Sequence, residues 1–329
     1  MSAEPLRLGS RRSPMAVSQS GDVARLLTER TGRPVELVGV TTLGDVSKAQ
    51  LTQIGGTGVF VSALRESLLR GEVDFAVHSL KDLPTGAAEG ITLAAIPARD
   101  DPRDALVTRD GAKLADLPPG ARIGTGSPRR AAQLTMLRSA VEPVPIRGNA
   151  NTRLAKVRDG ELDAVVLAYA GLARIGHTGL VSEIFEPDAM VPAPGQGALA
   201  LECRTEDSAL TELLAALDHQ ATRAAVTAER SLLAALEAGC SAPVGAYASA
   251  SGRERLRLEG VVLGMPPVTL LPGVLDAGAV SGTMVIRERG EADAAEAACL
   301  GREVATRMLA LGAAGLMRAE KNQRNDAHD

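Results

Sequence analysis

Arginine side chains occupy loops of the 329-residue chain where predicted strands end and helices begin. Arg129 and Arg130 follow Ser127 and Pro128, which are typical of a helix N-cap and first helical position. Two cations in a first helical turn oppose the helix dipole, whereas an anion there is stabilised by free N–H groups. The pattern favours a bound anion, with solvated helix ends as the alternative. Comparable loops contain Arg11, Arg147, Arg153 and Arg174.

One acidic residue, Asp82, follows Lys81 at the end of the apolar stretch "VDFAVHSL" and precedes Leu83-Pro84. We expect Asp82 to face a ligand, because ligands of α/β sheets bind beyond the carboxyl ends of strands. Its carboxylate could stabilise a developing cation or move a proton, or it could only cap a turn before proline. His78 on the same strand is expected to be a core histidine.

The three cysteines are far apart and lack a CxxC motif or paired histidines, so neither a disulfide framework nor a metal site is expected. Cys203 and Cys299 are predicted to be inert, buried packing residues. Cys240 differs because it lies between Gly239 and Ser241, beyond a predicted helix end, where a thiol is accessible. A nucleophile, a covalent anchor and an ordinary loop residue all remain open for Cys240.

The composition excludes several classes of partner. A net charge of -4 provides no basic field for nucleic acid or anionic membranes, and 2% aromatic residues provide no stacking platform. The N-terminus lacks an apolar signal region, and the longest apolar run is about half of a membrane helix. We therefore expect a cytoplasmic protein in a reducing compartment, with no nucleic-acid or membrane partner.

Two stretches resemble each other, "GEVDFAVHSLKDL" (71–83) and "GELDAVVLAYAGL" (160–172), and each accompanies a Ser-Pro helix start. They predict two related α/β lobes with mixed, mainly parallel sheets. From about residue 218, a helix, three strand-like stretches and a final helix from about 291 to 311 predict a small α+β domain. The expected division is 1–97 with 198–217, then 98–197, then 218–320, with a disordered tail at 321–329.

Five motifs in this order resemble the porphobilinogen deaminase (hydroxymethylbilane synthase) family: "HSLKDLP", "GTGSPRRAAQL", "IRGNANTRL", "APGQGAL" and "EAGCSAPVGAYA". The resemblance covers about residues 6–264 and the final helix. It implies two periplasmic-binding-protein-like (type II) lobes around a cleft and a third domain that carries the cysteine, with a three-stranded sheet.

The resemblance also implies an activity. Cys240 would hold a dipyrromethane cofactor through a thioether, and four porphobilinogen molecules would be condensed into hydroxymethylbilane with loss of ammonia. Asp82 would stabilise the cation formed at each addition. The implied cofactor-binding residues are Ser79, Lys81, Asp82, Thr125, Ser127, Arg129, Arg130 and Arg147. The implied substrate-binding residues are Arg11, Ser13, Arg147, Arg153, Arg174 and Gln196. We expect a monomer whose partner is the small-molecule substrate.

This sequence departs from the family pattern at three places. Thr57 stands where many relatives have lysine, Gly126 replaces a hydroxyl residue, and residues 265–283 form a longer, apolar stretch that we interpret as a hairpin excursion. Two other functions remain as alternatives. One is a non-catalytic two-lobed anion-binding protein or sensor; the other is a cysteine-dependent hydrolase, which lacks an evident histidine base.

Overall fold

The computed structural model describes residues 4–40, 58–239, 242–264 and 284–317. The predictions on Thr57, Cys240, 265–283 and 321–329 lie outside these residues. Within them, no helix combines the length and apolar character that a membrane crossing requires. The chain divides into two compact units, and the three-domain boundaries stay a prediction. The units comprise 1–101, 173–175 and 196–223, and 102–172, 176–195 and 224–329.

The described residues form helices and strands in alternation. The strands are β1 (Leu6–Arg11), β2 (Val35–Val40), β3 (Phe75–Ser79), β4 (Ile91–Ala95), β5 (Asp104–Thr108), β6 (Arg122–Thr125), β7 (Glu142–Pro145), β8 (Ala164–Ala168), β9 (Glu183–Phe185), β10 (Leu199–Arg204), β11 (Val244–Ala250), β12 (Arg255–Gly264) and β13 (Met284–Asp293). The α-helices are α1 (Pro14–Thr31), α2 (Gly58–Leu69), α3 (Pro128–Leu137), α4 (Ala150–Arg158), α5 (Tyr169–Arg174), α6 (Ser208–Ala215), α7 (Gln220–Ala235) and α8 (Ala297–Ala310).

The first unit contains a five-stranded sheet in the order β2-β1-β3-β10-β4. Strand β1 is parallel to β2 and β3, whereas β10 runs antiparallel to β3 and β4. Helices α1 and α6 pack on this sheet through a buried apolar core. That core includes Leu8, Leu27, Phe75, Leu201 and Leu214.

The second unit contains two sheets. A five-stranded sheet has the order β7-β6-β8-β5-β9, with β6 parallel to β7 and β8 and β5 antiparallel to β8 and β9. A three-stranded antiparallel sheet, β11-β12-β13, packs against α7 and α8. The predicted fold class, mixed α/β sheets followed by a small α+β section with a three-stranded sheet, is confirmed.

The Gly-Glu-x-Asp stretch of each unit forms the same pair of hydrogen bonds through its aspartate. The Asp74 carboxylate accepts a hydrogen bond from the Arg7 N–H at 2.7 Å, and the Asp74 N–H donates to the Arg7 carbonyl at 2.8 Å. Asp163 forms the same pair with Arg122, at 2.7 and 3.0 Å. Each aspartate therefore ties the start of one parallel strand, β1 or β6, to the turn that precedes another.

Both predicted Ser-Pro helix starts are confirmed. The Ser13 Oγ accepts from the Ala16 N–H at the start of α1, and the Ser127 Oγ accepts from the Arg130 N–H at the start of α3. The predicted start of the final helix is wrong. Residues 291–293 end strand β13, a 3-10 turn covers Ala294–Glu296, and α8 begins only at Ala297. Pairing of β13 with β12 extends through Asp293 and overrides the helical pattern.

Candidate active site

In the first unit, Asp82 lies at the end of a 3-10 turn, Leu80–Asp82, that directly follows strand β3. The Leu83 N–H donates to the Leu80 carbonyl at 3.1 Å, and the Leu80 N–H donates to the Ala198 carbonyl at 3.0 Å. These bonds fix the turn to the backbone that leads into β10. The Asp82 side chain is exposed, and its contact with a ligand stays a prediction.

The polar residues around this turn are held by side-chain hydrogen bonds. The Gln19 amide donates to the Ser79 Oγ at 3.1 Å, and the Lys81 Nζ donates to the Gln196 Oε1 at 3.3 Å. Gln196 is fully buried, and the Arg99 Nε donates to its carbonyl oxygen at 2.7 Å. The structure therefore brings Lys81 and Gln196 into contact, with Ser79 at the end of the strand that precedes Lys81; their binding of a ligand stays a prediction.

The position after Gln196 requires glycine, here Gly197. Its φ is +87°, and a Cβ there would lie 2.6 Å from the Asp100 carbonyl oxygen. Only glycine tolerates both conditions. The Arg174 guanidinium closes the same turn, donating to the Gly197 carbonyl at 2.8 Å and pairing with Asp100 at 2.7 Å. Arg174 is thus bound to a carboxylate of the protein itself.

Arg11 and Ser13 lie at the junction of β1 and α1. Arg11 ends the strand, and its side chain is half-buried. The Ser13 hydroxyl accepts from the Ala16 N–H at 3.4 Å. Since Ser13 already caps the helix, a ligand contact would have to share this hydroxyl.

In the second unit, Arg129 and Arg130 meet one buried carboxylate that sequence reasoning missed. Asp104, the first residue of β5, is fully buried; its Oδ2 lies 2.8 Å from the Arg129 Nη2 and its Oδ1 2.7 Å from the Arg130 Nη2. The Arg129 Nη1 also donates to the Val191 carbonyl, and the Arg130 Nη1 to the Val166 carbonyl. The expected anion beside this arginine pair is therefore supplied within the fold.

Two guanidinium groups contact this one carboxylate. Burial lowers the pKa of Arg129 from its ordinary value, and the neighbouring Arg130 charge acts in the same direction, whereas Asp104 opposes both. Nearby, Thr125 is buried and its Oγ1 accepts from the Ser127 N–H at 3.2 Å. The start of α3 therefore contains two buried guanidinium groups in a protein of net negative charge.

Arg153 on α4 lies near Arg130. Its Nε donates to the Gly148 carbonyl at 2.8 Å, and none of the described carboxylates forms an ion pair with it. Burial lowers the pKa of Arg153, and the Arg130 charge lowers it further. Arg147 is exposed and likewise forms no ion pair within the described part of the chain. Both arginines are therefore available to an anionic ligand.

Two family models match the chain. One, described as "Porphobilinogen deaminase, dipyromethane cofactor binding domain", matches residues 6–212, and another, "Porphobilinogen deaminase, C-terminal domain", matches residues 223–266. Together they cover more than half of the chain. The chain belongs to the porphobilinogen deaminase family. This assignment favours an enzyme over the anion-binding protein and the cysteine hydrolase.

Relatives of known name agree with the porphobilinogen deaminase assignment. The chain is similar to porphobilinogen deaminase of Thermobifida fusca (strain YX), with 59% identity over 95% of this chain and 96% of that protein. It is also similar to porphobilinogen deaminase 1 of Streptomyces coelicolor, with 57% identity over 96% of this chain and 98% of that protein. A periplasmic substrate-binding protein of an ABC transporter from Coxiella burnetii is similar at 15% identity and a TM-score of 0.42, covering 64% of this chain and 91% of that chain. A likeness this distant says nothing about ligands.

The residues of the second unit fit the dipyrromethane cofactor named by the porphobilinogen deaminase model. A cofactor made of pyrroles with acidic side chains needs cations that lack internal partners, and Arg147 and Arg153 meet this condition. Gly126 lies close to Arg153: a Cβ there would lie 3.7 Å from the Arg153 Nη2 and only 2.8 Å from the Ile146 carbonyl oxygen. The donor set is therefore that of an anion-binding site.

The other cysteines differ from each other. Cys203 is buried, as predicted; its Sγ lies 3.3 Å from the Thr211 Oγ1, and burial raises the pKa of its thiol. The prediction that Cys299 is buried is wrong, because α8 turns this residue toward solvent, where its Sγ donates to Glu303 at 3.5 Å. His78 is buried, as predicted, with its Nε2 3.2 Å from Glu202. Among the described residues, no group of three His, Cys, Asp or Glu side chains could hold a metal ion.

Proposed function

We propose that this chain is a transferase that condenses four porphobilinogen molecules, head to tail, on a dipyrromethane primer attached to Cys240. Each addition forms one carbon–carbon bond and releases ammonia, and the product, linear hydroxymethylbilane, is a precursor of heme and other tetrapyrroles. The observation that carries this proposal is the match of residues 6–212 to the cofactor-binding domain of the family. The exposed Asp82 and the available Arg147 and Arg153 support it.

Bound dipyrromethane supplies the carbon nucleophile for chain extension. Asp82 would accept hydrogen bonds from the pyrrole N–H of the substrate and stabilise the positive charge that develops when ammonia leaves. Because this charge exists mainly in the transition state, a fixed carboxylate accelerates the step rather than only binding the substrate. The rigid turn Leu80–Asp82 would keep the carboxylate in place without reorganisation.

The arginines would bind the carboxylates of the pyrroles. Arg147 and Arg153 are assigned direct contacts, since planar guanidinium groups pair bidentately with carboxylates. Arg129 and Arg130 would act together with Asp104 as a buried group that contributes positive charge to the site. Arg11, Ser13, Ser79, Lys81, Thr125, Ser127, Arg174 and Gln196 are proposed to support these contacts.

The expectations of a cytoplasmic monomer without nucleic-acid or membrane partners remain part of the proposal. They rest on the composition and on the family resemblance.

Intact-mass measurement tests the proposal. Purified protein should carry a stable addition of the mass of a dipyrromethane, and Cys240→Ser should lose it. Cys299→Ser is the matched control, because this cysteine is exposed yet has no assigned role, and it should keep the addition. Wild-type protein with only the mass of its sequence, together with ammonia release from added porphobilinogen, would show that catalysis does not use this anchor.

A further inference from the structure

A short segment without helical or strand structure, residues 191–195, is buried in the second unit between α3 and the three-stranded sheet. We call it the crossing segment. Val191 is fully buried, so its N–H and carbonyl groups need partners within the protein. No strand supplies them. The partners of the Val191 backbone are side chains.

Helix α3 holds the crossing segment from one side. The Gln133 Oε1 accepts from the Val191 N–H at 2.8 Å, and the Gln133 Nε2 donates to the Val191 carbonyl at 3.2 Å. Arg129 lies one turn earlier on the same helix and donates to the same carbonyl at 2.5 Å. Gln133 is buried, with 2% of its surface exposed. The Gln133 amide therefore makes the two backbone hydrogen bonds that a neighbouring strand would otherwise make with Val191.

Strand β11 and helix α7 hold the crossing segment from the other side. The Ala246 N–H of β11 donates to the Pro192 carbonyl at 3.0 Å. Glu229 of α7 is fully buried and bridges two backbones: its Oε2 accepts from the Gly195 N–H at 2.7 Å and its Oε1 from the Ala248 N–H at 2.9 Å. One carboxylate thus joins the crossing segment to the three-stranded sheet.

The backbones at this contact are unusually close. A Cβ on Gly245 would lie 2.9 Å from the Val191 carbonyl oxygen and 2.8 Å from the Val261 Cγ1. Val191 also packs with Val261 and Leu263 in a small buried cluster, to which Ala132 and Met136 of α3 contribute. The contact is therefore both apolar and directional, with hydrogen bonds at each end.

Directional bonds matter because an apolar contact alone can slide. Buried polar groups are costly unless every partner is placed, so a satisfied network selects one register of the packed elements. Here the network fixes the position of α3 relative to α7 and β11. Helix α3 begins with the arginine pair Arg129 and Arg130, and α7 and β11 are the elements that precede and follow Cys240 along the chain.

We propose that Gln133 and Glu229 are positioning residues, which hold the arginine-bearing helix in a fixed register against the sheet that follows the cofactor cysteine. This inference rests on the proposed function, because it assumes a pyrrole chain tethered at Cys240. A tether in one element and a carboxylate-binding group in another must keep their separation while the chain grows. Displacement by about 1 Å is enough to lower a rate about a hundredfold.

The test compares variants of Gln133 and Glu229 with a control variant that should also lower the melting temperature. Gln133→Leu removes both bonds to Val191, and Glu229→Gln keeps the shape but removes one acceptor. Leu134→Ala is the control, since this fully buried α3 residue packs in the core of the five-stranded sheet, in a different apolar cluster from Val191. Each holoenzyme is measured for melting temperature, covalent cofactor by intact mass, amide exchange at Val191 and Gly195, and kcat and KM for porphobilinogen.

We expect both variants to keep the cofactor addition, to exchange at Val191 or Gly195 at least tenfold faster, and to lose at least tenfold in kcat with KM changed less than threefold. The control should melt lower but keep kcat within twofold of wild type. Variants that exchange faster yet keep wild-type kcat would overturn the inference. Wild-type protein without added mass would instead overturn the proposed function. If Gln133→Leu does not fold, Glu229→Gln and the milder Gln133→Met decide the question.

Discussion

Arg129 and Asp104 form an ion pair at 2.8 Å in which neither side chain reaches solvent. The same carboxylate also pairs with Arg130 at 2.7 Å. Removing one partner of a buried pair leaves an uncompensated charge, at a cost of about 3–5 kcal/mol. We therefore expect Asp104→Asn to lower the free energy of unfolding by about this amount, measured by urea denaturation.

Asp22→Asn provides the matched control for this change. Asp22 lies on the exposed face of α1, 3.8 Å from Arg25, and its loss should change the unfolding free energy by less than about 0.5 kcal/mol. Equal effects of the two substitutions would mean that Asp104 does not balance the buried arginines.

Unlike Asp104→Asn, a substitution of Arg153 is expected to affect substrate binding rather than stability. Because no described carboxylate pairs with it and both burial and Arg130 lower its pKa, Arg153→Gln should leave the unfolding free energy unchanged within about 0.5 kcal/mol. Its loss should instead raise KM for porphobilinogen at least tenfold. Arg158→Gln, on the same helix and paired with Asp159, is the control and should leave KM unchanged. A large loss of stability in Arg153→Gln would assign Arg153 to the fold rather than to the ligand.

Gly126 tests whether the loop before α3 tolerates a hydroxyl side chain. A Cβ at this position would lie 2.8 Å from the Ile146 carbonyl oxygen, so backbone must shift. We expect Gly126→Ser to cost about 1–3 kcal/mol, which is the usual effect of overpacking. Gly179→Ala meets no atom within 4 Å and should be nearly neutral. Melting temperatures of the two variants decide the matter, and an unchanged value for Gly126→Ser would show that Ile146 moves freely.

The sequence predicted those features whose causes are local. Ser13 and Ser127 were recognisable as N-caps because the cap and the following proline are adjacent in the chain. The Gly-Glu-x-Asp repeat predicted two related sheets because Asp74 and Asp163 make the same backbone contacts. Patterns of this kind can be recognised in a sequence because the interacting residues are adjacent in the chain or because the whole pattern recurs.

Features that depend on distant partners could not be predicted in this way. Asp104 opens an apolar strand and gives no sign that it will meet two arginines about 25 residues later. Gln133 and Glu229 look like ordinary polar helix residues, yet both are buried against backbone. The exposure of Cys299 likewise depends on which face of α8 packs on the sheet. A charged residue at the start of an apolar run, as at Asp104, indicates that a partner is needed but not which residue supplies it.

Glu202 should make stability depend on pH in the acid range. Burial opposes its ionisation, but the adjacent His78 and the hydrogen bonds from Arg65 outweigh burial and lower its pKa to about 2. This stabilisation is present above the ordinary pKa of 4.5 and is lost as pH falls from there toward 2. It amounts to about 3 kcal/mol. The difference in unfolding free energy between wild type and Glu202→Gln should therefore shrink across this range, whereas the exposed control Glu206→Gln should follow wild type throughout.

Asp82 provides the sharpest test of the chemistry, because its charge and its position can be separated. Asp82→Asn keeps the shape of an exposed side chain, so folding and the covalent cofactor should be retained, measured by circular dichroism and intact mass. Since a fixed charge that stabilises a transition state is worth about 10²–10³ in rate, kcat should fall by this factor with little change in KM. Asp82→Glu keeps the charge and should recover part of the rate. Near-normal turnover of Asp82→Asn would mean that another group stabilises the cation, and that Asp82 only ends the turn before Pro84.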